Sequence, residues 1–178
     1  MGHVVSEPLP VRILPGRDVD PAAMTTLVNA AFAVYPFLPF ERTSAEGVRE
    51  EIGADGDVLW MERDGRPLAC ALIRPSLSVE WGEHAPFGVN AADALYLGFV
   101  CVEPASMRAG LGRMIVAEAE RIGRERGFAR MVLGTVREMG NVDYYERVGY
   151  RVIGSEVLPA GHWGMTIDHE YCAMEKRL

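Results

Sequence analysis

Arginines and glycines between residues 108 and 113 form the pattern in this chain that best suits an anion. The segment reads RAGLGR and leads into apolar residues at helical spacing. The first N–H groups of a helix have no partner within it, and the helix dipole makes that end positive. Gly110 and Gly112 lack the Cβ atoms that would keep a phosphate away. Arg108 and Arg113 add charge, so the segment predicts a pyrophosphate site.

This glycine segment differs from the two commonest nucleotide motifs. The ATP-binding P-loop requires Gly-Lys-Ser/Thr, which does not follow here. The dinucleotide motif G-x-G-x-x-G requires a third glycine where this chain has Ile115. A G-x-G pair alone has low specificity, so the prediction depends on the motifs that accompany it.

A second motif follows the predicted helix and runs from Asn141 to Tyr150 as NVDYYERVGY. Together with Val102-x-Pro104 and the glycine segment, it resembles the two hallmarks of the GNAT N-acetyltransferase superfamily. Two motifs in the right order are far more specific than either alone. The resemblance covers nearly the whole chain and implies one GNAT-like domain with acetyl-CoA (coenzyme A) as cofactor.

The resemblance also implies which residues contact the cofactor. Backbone groups of the fourth strand would pair with the pantetheine amides, and the glycine segment would hold the pyrophosphate. Asn141 would contact the cofactor, cap the following helix, or do both. The implied cofactor-binding residues are Val100, Cys101, Val102, Met107, Arg108, Ala109, Gly110, Leu111, Gly112, Arg113, Asn141 and Tyr145.

The chain departs from the family pattern in two places. Met107 stands where the family usually has Gln or Arg, so one side-chain contact to the pyrophosphate is lost, and Arg108 is a candidate to replace it. The fourth strand lacks the catalytic Glu of histone-acetylating members. A general base would therefore come from Glu80, Glu83, His84 or Glu103, or from a water chain, and an acceptor amine of low pKa needs none.

Acyl transfer also requires a group that stabilises the departing thiolate. The resemblance assigns this role to Tyr145, because a phenol with a pKa of about 10 stays protonated at neutral pH and can donate to sulfur. Tyr144 is predicted to pack in the core. The catalytic candidates are Tyr145, Glu83 and His84.

Aromatic and imidazole side chains in the loops are candidates for the acceptor site. The residues are Tyr35, Phe37, Phe40, Trp81, Tyr96 and His162. The loop at 35–40 either forms an apolar wall for the substrate, as is common in the family, or packs into the core as a helix connection. The segment 75–93 is long for a connection, and it either selects the substrate or extends the strands of a hairpin.

Composition and charge narrow the function further. A chain of 178 residues with 49% hydrophobic content fits one compact domain. Its net charge of −7 argues against nonspecific nucleic-acid binding and favours a cationic acceptor, although acidity also simply keeps a surface soluble. No apolar run reaches the roughly 18–20 residues that span a bilayer, so we expect a cytoplasmic protein without membrane contact.

The cysteines, Cys70, Cys101 and Cys172, are predicted to be reduced core thiols, and the scattered histidines suggest no metal site.

The elements that must hold these residues follow from hydrophobic periodicity and capping signals. Strands are predicted at 11–14, 57–62, 67–73, 94–102, 130–136, 150–157 and 167–176. Helices are predicted after Asp20, after a Thr43–Glu46 capping box, from the glycine segment to Gly127, and from Asn141 to Gly149. Residues 1–10 are predicted to form a loose tail. The predicted α/β (α+β) fold is a GNAT-like mixed central β-sheet of about six to seven strands flanked by about four helices.

The predicted function is direct acetyl transfer from acetyl-CoA to the primary amine of a small molecule or peptide. A noncatalytic acyl-CoA-binding or sensing module is the alternative, motivated by Met107 and the missing strand Glu. A third possibility is a different nucleotide at the same anion site. A homodimer is possible, since dimers are common in the family.

Overall fold

Strands of both directions form the sheet in the computed structural model, which describes residues 9–81 and 87–178. The strands of these ranges are β1 (Arg12–Pro15), β2 (Asp57–Arg63), β3 (Arg66–Pro75), β4 (Ala94–Val102), β5 (Arg130–Val136), β6 (Arg151–Leu158) and β7 (His169–Arg177). They form one sheet in the order β1-β2-β3-β4-β5-β7-β6. Neighbours are antiparallel except β4 and β5, which are parallel. The predicted mixed sheet is confirmed.

Helices cover both faces of this sheet. They are α1 (Pro21–Phe32), α2 (Ala45–Ile52), α3 (Leu111–Glu125) and α4 (Val142–Arg147). Alternate residues of β2 point to opposite faces, so Val58 packs with α1 and α2, whereas Leu59 packs with α3 and α4. This two-sided burial explains why the central strands are apolar without alternation. In the described parts of the chain, no helix combines the length and apolar character needed to cross a membrane.

Most of the predicted helix ends are confirmed, and one is wrong. The Asp20 side chain accepts from Ala22 N at 2.9 Å, and Gly127 takes a positive φ of 80° just past α3. The N-cap of α2 is Ser44, not the predicted Thr43. The Asn29 side chain binds both the backbone N–H and the carbonyl of Thr43 (3.0 and 2.9 Å), which holds Thr43 outside the helix.

The described part of segment 75–93 does not extend the hairpin. Strand β3 ends at Pro75 and is followed by a helical turn at Ser76–Ser78, and β4 begins at Ala94. Trp81 Nε1 donates to the Ser76 carbonyl at 3.1 Å and folds this stretch back on itself. Residues 1–8, which include most of the predicted tail, lie outside the described residues.

Strands β4 and β5 separate along their length. They pair at three positions only, from Ala94–Arg130 to Tyr96–Val132. Beyond this point β4 follows β3 and β5 follows β7. Against β3, strand β4 also carries an extra residue near Phe99, which adopts a φ of 45°. Such a bulge bends a strand, and the separation opens the middle of the sheet.

Candidate active site

The glycine segment forms a tight turn that exposes the first N–H groups of α3. Arg108 and Gly110 adopt positive φ values of 71° and 81°, and the second of these favours glycine. The first helical bond of α3 runs from Met114 N to the Gly110 carbonyl at 3.1 Å. The N–H groups of Leu111, Gly112 and Arg113 therefore have no acceptor within the helix.

A cavity of about 470 Å³, which we call the loop cavity, lies against this turn and the open edge of β4. Its lining includes every residue predicted to bind the cofactor except Ala109. A Cβ atom at Gly110 would meet no protein atom within 4 Å, and one at Gly112 would only touch Val102 at 3.6 Å. Space beside the helix N-terminus is therefore available to a ligand phosphate.

A second cavity of about 540 Å³, the sheet cavity, lies between the separated strands and the α1–α2 connection. Tyr96 of β4 lines it, as the sequence predicts. Residues 97–100 of β4 and 133–136 of β5 form one wall, and α2 contributes Glu51 to another. The cavity also contains Trp163, whose backbone is held at a φ of 51°.

The two cavities meet at Tyr145. Five residues line both of them: Phe32, Val100, Met139, Asn141 and Tyr145. The Tyr145 ring is 7% exposed and packs edge-on against Tyr144 and Tyr150 at centroid distances of 5.1 and 5.5 Å. Burial raises the pKa of Tyr145 well above that of an ordinary phenol, so its hydroxyl is protonated at neutral pH.

Asn141 occupies the N-cap position of α4, but its side chain does not cap the helix. It hydrogen-bonds Tyr35 instead; burial raises the pKa of Tyr35, and this bond offsets part of the rise. Tyr35 was predicted to contact the acceptor, but it lines the loop cavity and not the sheet cavity. Tyr144 is only partly buried: its ring packs against the core, as predicted, but it also lines the loop cavity, and its hydroxyl is enclosed.

Several predicted site residues lie away from the sheet cavity. Phe37 and Phe40 line neither cavity, and Phe40, which directly follows Pro39, is 95% exposed. Trp81 packs behind Tyr96 at a centroid distance of 5.0 Å. His162 stacks edge-on against Trp163, which takes its place in the lining.

The predicted bases are also separated from the cavities. Glu103 pairs with Arg66 and accepts from Ser106 at 2.9 Å, and the Arg66 bond lowers its pKa. Glu80 is exposed and lines neither cavity. Glu83 and His84 lie outside the described residues. None of the described candidates therefore faces the junction of the cavities.

Sequence reasoning missed the charged residues that do line the sheet cavity, Glu51 and Arg42. Tyr96 Oη donates to Glu51 Oε1 at 3.1 Å. A signal existed in the helical spacing, because Glu51 lies between the positions of the buried Val48 and Ile52 on α2. Arg42 stacks over the Phe32 ring at 5.6 Å, a contact that sequence spacing does not reveal.

The cysteines are free and buried, as predicted. Cys101 lines the loop cavity and lies opposite Cys70 in the β3–β4 register. A hydrogen bond with Cys70, together with burial, raises the pKa of the Cys101 thiol, so it is a poor nucleophile. Within the described ranges, no group of His, Cys, Asp and Glu side chains could hold a metal ion.

The chain was compared with protein families, with curated sequences and with solved structures. A model of the acetyltransferase (GNAT) family matches residues 23–150. No curated protein sequence matches the chain. The structure resembles the ribosomal-protein-S18-alanine N-acetyltransferase of Escherichia coli, with 17% identity, 94% of each chain covered and a TM-score of 0.69.

Two further solved structures are similar to a comparable extent. The ribosomal-protein-alanine N-acetyltransferase of Brucella melitensis is 20% identical over 96% of this chain and 100% of its own, with a TM-score of 0.65. An acyl-CoA N-acyltransferase of Pseudomonas aeruginosa is 19% identical over 94% and 99%, with the same TM-score. Because these sequence identities are low, the structural similarity shows a shared fold and no more.

Proposed function

Because the chain belongs to the GNAT acetyltransferase family, we propose that it transfers an acetyl group from acetyl-CoA directly to a primary amine. The observation that carries this proposal is the meeting of two cavities at Tyr145. One cavity contains the N–H groups at the start of α3, which would bind an anion, and the other has room for an acceptor. Two ligands that met at this junction could react without a covalent enzyme intermediate.

Residues of the loop cavity fit the cofactor. The N–H groups of residues 111–113 would bind the pyrophosphate, with Arg108 and Arg113 beside them. The free edge of β4 at Val100–Val102 would pair with the pantetheine amides as an added strand. Met107, 40% exposed at this turn, supplies no charge, so backbone donors and Arg108 would carry the contact.

When bound, acetyl-CoA would supply a thioester: the nitrogen of the neutral amine would bond to its carbonyl carbon, the carbon–sulfur bond would break, and the proton lost by the amine would pass to water. Tyr145 would donate its hydroxyl hydrogen toward sulfur as negative charge develops there. Asn141 lines the same junction and would orient the groups around it. The raised pKa of Cys101 argues against an acetyl-cysteine intermediate and supports direct transfer.

The acceptor we propose is a primary amine of a small molecule or of a peptide. Two similar structures are alanine N-acetyltransferases of ribosomal proteins, which supports an amine as the acceptor. A cytoplasmic location and a homodimer stay predictions, to be tested by fractionation and by light scattering.

The test is calorimetric titration with acetyl-CoA, with ATP as the comparison ligand. Gly112→Asp places a carboxylate against the proposed pyrophosphate, while Gly112→Ala adds the same Cβ without charge. Since that Cβ only touches Val102, both variants should fold. A charge pair about 4 Å apart is worth about 1 kcal/mol in water and about 4 kcal/mol at an effective dielectric of 20. We therefore expect Gly112→Asp to weaken binding at least roughly 5-fold, and Gly112→Ala to weaken it much less.

The outcomes distinguish the candidate functions. Acetyl-CoA binding followed by thiol release with members of an amine panel would support the transferase. Binding without turnover for any amine would favour the sensing module. Tighter binding of ATP than of acetyl-CoA, or equal binding by both Gly112 variants, would contradict the proposed cofactor site.

A further inference from the structure

The inner part of the sheet cavity contains a carboxylate that the proposed transfer step does not use. Glu51 lies in the last turn of α2 and accepts the Tyr96 hydroxyl at 3.1 Å. Arg74 Nη1 donates to the Glu51 backbone carbonyl at 2.7 Å and Nη2 to the Ser78 carbonyl at 2.5 Å. These bonds fix the end of α2, so the Glu51 side chain has a defined place in the cavity wall.

Two tyrosines build the floor beside this carboxylate. Tyr96 lies across Gly98 of β4, where a Cβ atom would be 2.6 Å from the Tyr96 hydroxyl oxygen. Tyr171 lies across Gly134 of β5, where a Cβ atom would overlap the Tyr171 hydroxyl. Glycine weakens a strand interior and marks a close approach. Both strands thus accommodate aromatic rings that carry their hydroxyls into the same region.

The charges around this floor are complementary to a cation. Burial raises the pKa of Tyr171 to about 12, and the nearby Glu51 charge adds to the rise. Burial also raises the pKa of Tyr96. Neutral hydroxyls and aromatic faces next to a carboxylate are the groups that bind an ammonium ion. Arg42, the other charged residue in the described lining, is exposed and stacks on Phe32, and its charge is the smallest of the influences on the pKa of Tyr96.

We propose that Glu51, Tyr96 and Tyr171 form an ammonium-binding subsite, and that the acceptor is therefore a primary amine with a second cationic amine. This inference rests on the proposed function for the identity of the reacting amine. Tyr96 and Val100, a residue of the junction, are four residues apart on β4, at most roughly 13 Å because the bulge at Phe99 shortens the strand. The second ammonium group would thus be separated from the reacting amine by several methylene groups.

The test compares diamines with monoamines of equal length. Diaminopentane and diaminooctane are paired with pentylamine and octylamine in thiol-release assays at saturating acetyl-CoA. A hydrogen-bonded charge pair predicts a kcat/KM for the better diamine that is at least about 10-fold above its monoamine. Glu51→Gln keeps an oxygen for the Tyr96 hydroxyl but removes the charge, so this preference should fall to about one.

The control is Glu50→Gln, which removes the same charge from the next, exposed position of α2. It should keep the wild-type preference. Equal kcat/KM for diamine and monoamine in the wild type, or a preference that survives in Glu51→Gln, would overturn the subsite.

A binding measurement separates this inference from the transferase assignment. Diaminooctane is titrated calorimetrically into the wild type and Glu51→Gln without acetyl-CoA. If diaminooctane binds to the wild type but not to Glu51→Gln, and no amine is turned over, the transferase function is refuted and the ammonium subsite is supported. If amines are turned over without selective binding of the diamine or preference for it, the transferase function is supported and the subsite is refuted.

Discussion

Replacement of Tyr145 by Phe removes one oxygen atom from the junction of the two cavities, and we expect it to lower kcat about 10- to 100-fold. The magnitude follows from the pKa. An ordinary phenol has a pKa of about 10 and a thiol one of about 8.5, so full proton transfer from phenol to thiolate is already uphill by about 2 kcal/mol. Burial raises the pKa of Tyr145 further, which makes transfer still less favourable. Tyr145 would therefore act mainly through a hydrogen bond to the developing thiolate.

A hydrogen bond to a charged group contributes about 1.5–3 kcal/mol. Each 1.36 kcal/mol in the barrier changes the rate tenfold. The resulting loss of about one to two orders of magnitude is smaller than the roughly 10⁴-fold upper range for general acid–base catalysis. The rings around Tyr145 stay in contact in the variant, so the dissociation constant for acetyl-CoA should change less than about threefold.

The assay is steady-state thiol release at saturating acetyl-CoA, with calorimetry to verify cofactor binding. Tyr144→Phe is the matched control, because it removes a hydroxyl from the neighbouring residue of the same helix. The Tyr144 hydroxyl is buried without a hydrogen-bond partner among the described residues. Its removal should leave kcat unchanged and keep or raise the free energy of unfolding.

The pH dependence provides a second readout. Because the pKa of Tyr145 is raised, the hydroxyl stays protonated between pH 7 and pH 10, and wild-type kcat should not fall in this range through its ionisation. A Tyr145→Phe enzyme with wild-type kcat would refute the role of the hydroxyl. A 10⁴-fold loss would refute the hydrogen-bond argument and indicate full proton transfer.

Two further predictions concern stability. Burial acts to raise the pKa of Glu175, but hydrogen bonds from Arg130 (2.7 Å) and Arg151 (2.5 Å) outweigh it and hold the pKa below its ordinary value. This stabilisation is present above the ordinary pKa of about 4.3 and is lost as pH falls through the folded-state pKa. Urea unfolding should show that Glu175→Gln lowers the free energy of unfolding by about 2 kcal/mol at pH 7 and by much less near pH 3. The cost at pH 7 is moderate because Arg151 is exposed. An equal cost at the two pH values would contradict this prediction. Gly56→Ala should lower the free energy of unfolding by about 1–3 kcal/mol, because its Cβ would overlap a backbone carbonyl at the end of α2; thermal unfolding that matches Gly112→Ala would show that the overlap is relieved.

Local features were predictable from the sequence because local physics determines them. Strands β4 and β5 have the predicted bounds, since charged or proline residues end each apolar run. The turn at 108–113 follows from glycine conformation and helix geometry, and its position against a cavity was therefore foreseeable. The position of Tyr145 came from the family motif, and its contact with both cavities agrees with that placement.

Contacts between distant segments were not predictable in the same way. The Tyr96–Glu51 hydrogen bond joins residues 45 positions apart, and the helical spacing that places Glu51 beside the buried face of α2 does not reveal this partner. The position of Tyr171 over Gly134 depends on the β5–β7 register, which only the folded sheet defines. Phe40 shows the reverse error, because an apolar loop residue was expected to be covered and is almost fully exposed.

The tyrosine–glycine pairs have a consequence for how such a protein can diversify. A smaller residue at Tyr96 or Tyr171 would uncover a glycine and deepen the cavity down to the backbone, with no strand displaced. A larger residue at Gly98 or Gly134 would push the ring inward and shrink the cavity. Each tyrosine–glycine pair therefore sets the depth of the cavity at its position. Single substitutions at these pairs could change the range of acceptors during evolution. The glycine turn, which relies on main-chain donors, would stay constant while that range evolved.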